Sequence, residues 1–246
     1  MTGDPDLYLI SCSIDRLRLI SFATARGTIP RSGDPGYAIH QVMTETFGPA
    51  APKPFHFYDD SLCKLLAYSP YSADELKRVA LAQRPQVPSW ELASAALGLP
   101  AMEAIPLPCP WVSGKRYRFA VRVRPVSRTS HAKERGLPRE GDVFLQAVAS
   151  KPKDSKAWLD RQEVYLSWFR NQVPTAAATL ISLRISSMAR TLVYRKGAPS
   201  LEGPDVQLGG TLEVGDPAFF NELLRRGIGR HRAFGFGMVL LGNANS

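Results

Sequence analysis

The chain has 246 residues and a formal net charge of +9 at pH 7, with 31 Lys and Arg, 22 Asp and Glu, and histidines counted as neutral. Hydrophobic residues make up 44% and charged residues 22% of the sequence, a globular composition that argues against a wholly disordered chain. No run of about 18 apolar residues occurs, and the acidic start lacks the basic-then-apolar pattern of a signal peptide, so we expect a cytoplasmic protein rather than a membrane-spanning or secreted one.

The first part of the chain predicts a strand, a helix and a pair of strands. Residues 7–20 are typical of a strand, with alternation in their second part. Glycines and prolines predict a loop over 26–36. Apolar residues at helical spacing then follow Asp34-Pro35 and stop at Gly48, which predicts a short amphipathic helix. Residues 55–68 predict two short strands.

A helix and a strand complete the first part. The capping-box sequence from Ser72 to Glu75 predicts a helix that reaches about Gln83, and residues 102–107 predict a closing strand. Strand, helix, strand pair, helix and strand is the βαββαβ order of a ferredoxin-like unit. A proline-rich stretch around 106–114 marks the expected junction. We therefore expect an N-terminal domain over 1–110 and a C-terminal domain over 111–246.

The second part of the chain repeats this order and carries the positive charge. Residues 1–110 hold 9 basic and 11 acidic side chains, whereas residues 111–246 hold 22 basic and 11 acidic ones. Strands are predicted over 115–126, 179–194, 206–214 and 238–241, and helices over 157–172 and 216–226. The fold class is thus α+β, with two tandem ferredoxin-like (RRM-like) domains. So basic a half favours a polyanion as the partner, above all nucleic acid.

A basic run occupies residues 115–139. Its strand alternates between apolar residues and arginines, which predicts a half-buried strand with a cationic outer face. We expect this face and the loop after it to follow the phosphates of a folded RNA such as a hairpin, with salt-dependent binding. A solvated charged face is the alternative. The candidate RNA-binding residues of the run are Lys115, Arg116, Arg118, Arg122, Arg124, Arg128, His131, Lys133, Arg135 and Arg139.

Residues 227–237 form a glycine-rich segment, GIGRHRAFGFG, between the last predicted helix and strand. Its glycines allow a ligand to approach the backbone closely and let N–H groups turn outward, which suits a phosphate chain. The segment lacks the GK[ST] ending of a Walker A motif, and a turn needed only for packing is the alternative. Its candidate RNA-binding residues are Gly227, Gly229, Arg230, His231, Arg232, Gly235 and Gly237.

A helix, this glycine-rich segment and a short final strand resemble the C-terminal glycine-rich loop of the CRISPR-associated RAMP proteins. The chain is similar in particular to their repeat-processing endoribonucleases, both the CasE-like enzymes of type I-E systems and the related type IV proteins. The resemblance implies two ferredoxin-like domains. It also implies, as partners, a CRISPR repeat stem-loop RNA, the mature CRISPR RNA (crRNA) and other effector-complex subunits, with no cofactor and no membrane.

Tyr37 and His40 stand at positions i and i+3 of the first predicted helix, so both can face one phosphate. In CasE-like enzymes a Tyr-x-x-His pair at this place is implicated in cutting. The resemblance therefore implies metal-independent cleavage, in which the ribose 2′-OH attacks the adjacent phosphorus and leaves a 2′,3′-cyclic phosphate and a 5′-hydroxyl. Histidine suits the proton transfer. Arg26 and Arg31 are candidates to stabilise the transition state, and they are the alternative catalytic residues because some type IV relatives rely on arginines.

The remaining chemistry-bearing residues predict no further site. Cys12, Cys63 and Cys109 lie far apart without a CxxC pair, and no HExxH motif occurs, so no metal site is expected. His56 stands among aromatic residues and is expected to be structural. The four tryptophans, Trp90, Trp111, Trp158 and Trp168, are expected in the core.

These observations lead to a CRISPR precursor-RNA processing endoribonuclease that cuts at the 3′ base of the repeat hairpin and stays bound to its product in an effector complex. A non-catalytic RNA-binding subunit with the same fold is the alternative. A third hypothesis, an unrelated pair of RRM-like modules, predicts an RNP1-type aromatic motif that the sequence lacks.

Overall fold

A computed structural model describes residues 6–28, 34–108, 110–128, 140–150, 158–193 and 201–243 of the chain. In the first half, the strands form an antiparallel sheet in the order β2-β3-β1-β4, which is the ferredoxin-like order. The elements are β1 (Tyr8–Ser13), α1 (Arg16–Arg26), α2 (Gly36–Phe47), β2 (Phe55–Phe57), β3 (Lys64–Ser69), α3 (Ala73–Gln83), α4 (Trp90–Ala96) and β4 (Glu103–Pro106).

The second half repeats this topology, with a second antiparallel sheet in the order β10-β5-β9-β8 and a two-stranded β6-β7 ribbon beside it. Its elements are β5 (Arg116–Val123), β6 (Val126–Arg128), β7 (Glu140–Asp142), α5 (Val143–Ala149), α6 (Arg161–Gln172), β8 (Ala178–Val193), β9 (Leu201–Val214), α7 (Pro217–Arg226) and β10 (Leu240–Asn243). The predicted α+β fold of two tandem ferredoxin-like units is confirmed. The domain boundary at residue 110 stays a prediction.

The strand predicted over 7–20 is wrong in its second part, which forms α1. Asp15 caps the new helix, because its carboxylate accepts a hydrogen bond from the backbone N–H of Arg18 at 3.0 Å. Leu19, Phe22 and Ala23 then face the core at the spacing of a helix. Leucine and isoleucine are compatible with both structures, so the cap and the spacing of 19, 22 and 23 decide the outcome.

Other differences concern short elements. The sequence pattern did not predict α4, α5 or the β6-β7 ribbon. The helix predicted from 157 begins at Arg161, since Asp160 caps it by accepting from the N–H of Gln162. Trp158 therefore lies before the helix and is 92% exposed, so its predicted place in the core is wrong. Trp90 and Trp111 are buried and Trp168 is half-buried and packed against the second core, as expected.

Each half has its own hydrophobic core, and the two halves are in direct contact. The first core lies between the first sheet and its helices, and the second is built around aromatic residues of β5, α6 and α7. Tyr68 of β3 belongs to the second core, and its hydroxyl donates to the carbonyl of Val239 at 2.6 Å. This contact brings the chain around β10 against the first half and positions the candidate site.

Replacement of Phe22 by alanine tests the helical assignment of α1. Phe22 is 0% exposed, so Phe22→Ala should lower the free energy of unfolding by about 3–5 kcal/mol. The control is Leu17→Ala on the same helix, where a 77% exposed side chain should change stability by less than about 0.5 kcal/mol. Urea unfolding followed by circular dichroism measures both, and equal effects would contradict the assignment.

Candidate active site

Tyr37 and His40 lie together in the first two turns of α2. Both side chains are half-buried, and their ring centroids are 6.4 Å apart. Asp34 precedes the helix and accepts a hydrogen bond from the N–H of Gly36 at 2.9 Å. The predicted helix and its end at Gly48 are confirmed, and the two side chains share a face as the i, i+3 spacing predicts.

Phe234 of the glycine-rich segment completes this cluster, and the sequence analysis did not assign it a role. Its ring centroid lies 5.8 Å from that of Tyr37 and 5.4 Å edge-on from that of His40. The two elements touch at Gly36, where an added Cβ would stand 2.3 Å from the carbonyl oxygen of Phe234. Only glycine permits this approach, so the second half supplies one wall of the site on α2.

The glycine-rich segment is tied down by its own backbone. The N–H of Gly237 donates to the carbonyl of Arg122 at 2.7 Å, the N–H of Ile228 donates to the carbonyl of Gly237 at 2.8 Å, and the N–H of Gly227 donates to Leu223 at 2.8 Å. Gly237 has a φ of +79°, and an added Cβ would lie 2.2 Å from the carbonyl oxygen of Ile228. The prediction that the segment turns its N–H groups outward is therefore wrong for Gly227 and Gly237, which pack within the protein.

The charged residues of this segment are partly neutralised by Glu140, at the start of β7. Its carboxylate forms an ion pair with Arg230 and a hydrogen bond with His231. Burial disfavours its charged form, but the hydrogen bonds from His231 and Arg230 outweigh burial and lower the pKa of Glu140 below its ordinary value. His231 is only 12% exposed at its side chain. Arg230 and His231 are thus held by the protein rather than presented freely to a ligand.

The cationic face predicted for β5 exists at only one end of the strand. Arg116 and Arg118 are exposed, although Arg116 pairs with Glu213 at 2.8 Å. Arg122, by contrast, is 20% exposed at its side chain, and Arg124 is 1% exposed as a residue. The predicted exposure of these last two arginines is wrong, because Asp34 of the first half and residues of β8 and β9 contact their side chains.

Arg122 links the two halves through buried ion pairs. Its Nη2 lies 2.6 Å from a carboxylate oxygen of Asp34 and 2.6 Å from one of Asp205. Burial lowers the pKa of the guanidinium, but the two carboxylates outweigh this and raise it. Burial alone would raise the pKa of Asp205. Hydrogen bonds from Arg122 and Thr191 outweigh burial and lower the pKa below its ordinary value. Burial lowers the pKa of Arg124, whose Nη1 donates to the carbonyl of Thr191 at 3.0 Å.

Arg26 is engaged away from the Tyr37–His40 face. It pairs with Glu45 of α2 at 2.5 Å and donates to the hydroxyl of Ser89 at 2.5 Å. Glu45 lies five residues beyond His40, which is about 140° around the helix. The ion pair thus holds Arg26 on another side of α2.

Several sequence-predicted residues cannot be placed by the structure. Arg31, the other arginine proposed for catalysis, and most of the basic loop after β6 lie outside the described residues. Lys115 and Arg128 are described and exposed. The unplaced loop candidates are His131, Lys133, Arg135 and Arg139.

A basic groove of about 710 Å³ adjoins the Tyr37–His40–Phe234 cluster, because Phe234 lines it. Within the described residues its lining includes no carboxylate. Arg232, which lines the groove, donates to the carbonyl of Arg226 at 2.6 Å and so covers part of the negative C-terminal end of α7. The cationic residues that line it are Lys53, Arg225, Arg226, Arg230 and Arg232. The sequence analysis missed Lys53, Arg225 and Arg226, which nothing local distinguishes from other surface cations.

The described part of the chain contains neither a metal-binding cluster nor a membrane-spanning helix. No group of three or more His, Cys, Asp and Glu side chains is placed to bind a metal ion there. None of the helices in those ranges is long and apolar enough to cross a membrane. His56 is half-buried beside Tyr58, with ring centroids 4.6 Å apart.

The chain is similar to known proteins in its sequence family and in its fold. The family model described as "CRISPR associated protein" matches residues 7–242. No curated protein is similar enough in sequence to count as a match.

Solved structures share the fold. Thermus thermophilus Cse3 bound to an RNA representing a pre-cleavage complex is 16% identical with a TM-score of 0.59, over 96% of this chain and 99% of that one. Cas6e from Escherichia coli K-12 is 15% identical with a TM-score of 0.57, over 96% and 99%. A chain of a CRISPR RNA-guided surveillance complex, pre-nicking, is 15% identical with a TM-score of 0.54, over the same shares.

Removal of one carboxylate from the Arg122 pairs should destabilise the protein strongly at neutral pH. Asp205→Asn leaves the buried guanidinium half-compensated, so we expect the free energy of unfolding at pH 7 to fall by about 3–5 kcal/mol. Because the folded pKa of Asp205 is lowered, its contribution is present above the ordinary Asp pKa of about 4 and is lost as the pH falls through the folded value. Denaturant unfolding at pH 7 and below pH 4 should show the two proteins converging.

The matched control is Glu103→Gln, at an exposed carboxylate on β4. It should change stability by less than about 0.5 kcal/mol at any pH. A difference between Asp205→Asn and the wild type that stays constant on acidification would contradict the assigned ion pair.

Proposed function

Because the chain belongs to the CRISPR-associated protein family, we propose that it is a metal-independent endoribonuclease that processes precursor CRISPR RNA. The observation that carries the proposal is the meeting of Tyr37, His40 and Phe234 beside a basic groove. In this proposal the repeat hairpin binds the groove and the exposed cations of the second half, and the chain is cut at the 3′ base of the hairpin.

The proposed chemistry uses only groups of the RNA and of α2. The 2′-OH attacks the adjacent phosphorus, the bond from phosphorus to the 5′ oxygen breaks, and the products are a 2′,3′-cyclic phosphate and a 5′-hydroxyl. The attacking hydroxyl loses a proton and the leaving oxygen gains one. His40 serves this transfer because a histidine ordinarily titrates near pH 6.5. Tyr37, on the same face, orients the phosphate.

The groove supports the choice of RNA as the substrate. Cations at Lys53, Arg225 and Arg232 come from both halves and have no carboxylate beside them in the lining of the groove. Phosphate contacts of this kind provide affinity without sequence readout. The groove shares Phe234 with the candidate catalytic pair, so a strand bound along it passes Tyr37 and His40.

Membership of an effector complex is part of the same proposal. The fold is shared with Cse3 bound to RNA and with a chain of an RNA-guided surveillance complex. The proposal is that this chain also keeps its cleaved RNA and assembles with other subunits. The non-catalytic alternative predicts the same binding without cleavage.

Substitution of the catalytic pair tests the proposed reaction. His40→Ala should lower the single-turnover cleavage rate at least 100-fold, the usual contribution of a positioned proton-transfer group, and Tyr37→Phe should lower it less. The substrate is a synthetic RNA of the CRISPR repeat from the same genome, incubated in EDTA, with end-group analysis of the products. Arg78→Ala, at an exposed position of α3 outside the cluster, is the control and should leave the rate unchanged. Wild-type binding without cutting would favour the non-catalytic subunit, and unchanged rates would exclude the assigned residues.

Loss of charge in the groove should weaken RNA binding in a salt-dependent way. The double variant Arg225→Ala/Arg226→Ala should raise the Kd of the repeat RNA and reduce the slope of log Kd against log salt concentration by roughly 1–2. Arg78→Ala, an exposed arginine on α3 that lies outside the groove lining, is the control and should leave the slope unchanged. Titration of labelled RNA between low and physiological salt measures both. An unchanged slope in the double variant would remove the groove from the RNA path.

A further inference from the structure

Phe234 also lines a second recess, which lies between the two halves. The recess has a volume of about 410 Å³ and is bounded by β2 and by the outer face of β8 and β9. Asp34, Pro35 and Gly36 form part of its wall and directly precede Tyr37. A group bound in this recess would therefore lie beside the candidate catalytic pair, while the basic groove adjoins the same pair.

His56, which lines the recess, has a polar atom that lacks a partner. The Nδ1 atom of His56 is buried and has no hydrogen-bond partner among the described residues. Burial, with a smaller effect of the charge on Arg122, lowers the pKa of His56 to about 4, so the ring is neutral at pH 7. Buried polar atoms are nearly always paired in folded proteins, so a hydrogen bond from a ligand to this nitrogen would require the His56 ring to turn toward the recess.

The remaining polar lining favours an uncharged ligand with hydrogen-bond donors. Asp34 and Asp205 are already paired with Arg122, but each carboxylate oxygen has a second lone pair that can accept. Gln207 and Ser187 add further acceptors. A phosphate would meet these two carboxylates, so the recess does not suit the RNA backbone as the basic groove does.

Aromatic side chains give the recess flat apolar surfaces. Phe57, Tyr58 and Phe234 all contribute to the lining. Stacking on aromatic rings is the usual way in which proteins hold an unpaired base, and the volume is sufficient for one base with its sugar. Flat walls and an excess of acceptors together match a nucleobase.

We propose that this recess binds one unpaired nucleobase of the RNA adjacent to the scissile phosphate, stacked on its aromatic lining and hydrogen-bonded to His56 and the carboxylates. The acceptor-rich lining selects a base with an exocyclic amino group and disfavours uracil, which has none. The inference rests on the proposed function, because it places part of the same RNA substrate.

Obstruction of the recess tests this assignment without altering the catalytic pair. Ala189 lines the recess, is exposed, and pairs with Asp205 across β8 and β9, so a phenylalanine there would occupy the base site. Ile181→Phe is the matched control, at an exposed position of the same strand that does not line the recess. Ser187→Phe provides a second obstructing variant.

The probe is the synthetic repeat RNA of the same genome with a 2′-deoxy sugar at the cleavage position, so that binding is measured without cutting. Single abasic replacements are scanned through the nucleotides on both sides of that position. At one of them, loss of the base should weaken wild-type binding roughly tenfold, as expected for one stacked base, and uracil should weaken it more than the amino-bearing bases. Ala189→Phe should weaken binding of the intact RNA by a similar factor and leave the Kd of that abasic RNA unchanged.

The deciding result is whether the effects of Ala189→Phe and of one abasic replacement on the Kd of the RNA are non-additive. If Ala189→Phe and Ser187→Phe weaken the intact and abasic RNAs equally, or if no base in the scan responds, the base site is excluded. Cleavage of unmodified repeat RNA by the wild-type chain is measured in parallel. Retained cleavage with no coupling overturns the recess alone, whereas absence of wild-type cleavage overturns the proposed function.

Discussion

Arg122 is the residue on which the arrangement of the candidate site depends. Its side chain joins Asp34, just before α2, to Asp205 on β9, and its backbone carbonyl receives the N–H of Gly237. Its guanidinium also lies over the ring of Phe236, 4.4 Å from the centroid. One residue of β5 therefore fixes both the start of the helix that carries Tyr37 and the segment that carries Phe234. The cost of burying its charge is offset only while both carboxylates are present.

The positive charge of the second half serves three different purposes. Arg122 is half-buried and joins the two halves, whereas Arg124 is buried and donates to Thr191 within the second half. Arg230 is held by Glu140, whose second oxygen holds His231. The cations available to a polyanion are those of the groove other than Arg230, together with those of the exposed end of β5. Net charge thus overstates how many residues can contact a polyanion.

Much of the fold could be predicted because its signals are local. The capping box at Ser72, the Asp-Pro start of α7 and the alternation in β5 each depend on neighbouring residues, and the structure has all three. The same alternation could not show that Arg122 and Arg124 are covered, because the covering atoms come from residues distant in sequence. The pairing of Glu140 with the glycine-rich segment was hidden for the same reason. The spacing of Tyr37 and His40 identified the helix face, whereas Phe234 became part of the site only through the tertiary contact at Gly36.

The contact between Gly36 and Phe234 has a consequence for the folding route. It joins points separated by most of the chain, and closure of so long a loop is among the slower events of folding because its entropy must be lost before the contact forms. A molecule whose first half has already folded carries Tyr37 and His40 on α2 but lacks the wall that Phe234 provides. The complete site thus appears only when the second half docks, and its assembly reports that the whole molecule has reached the native state.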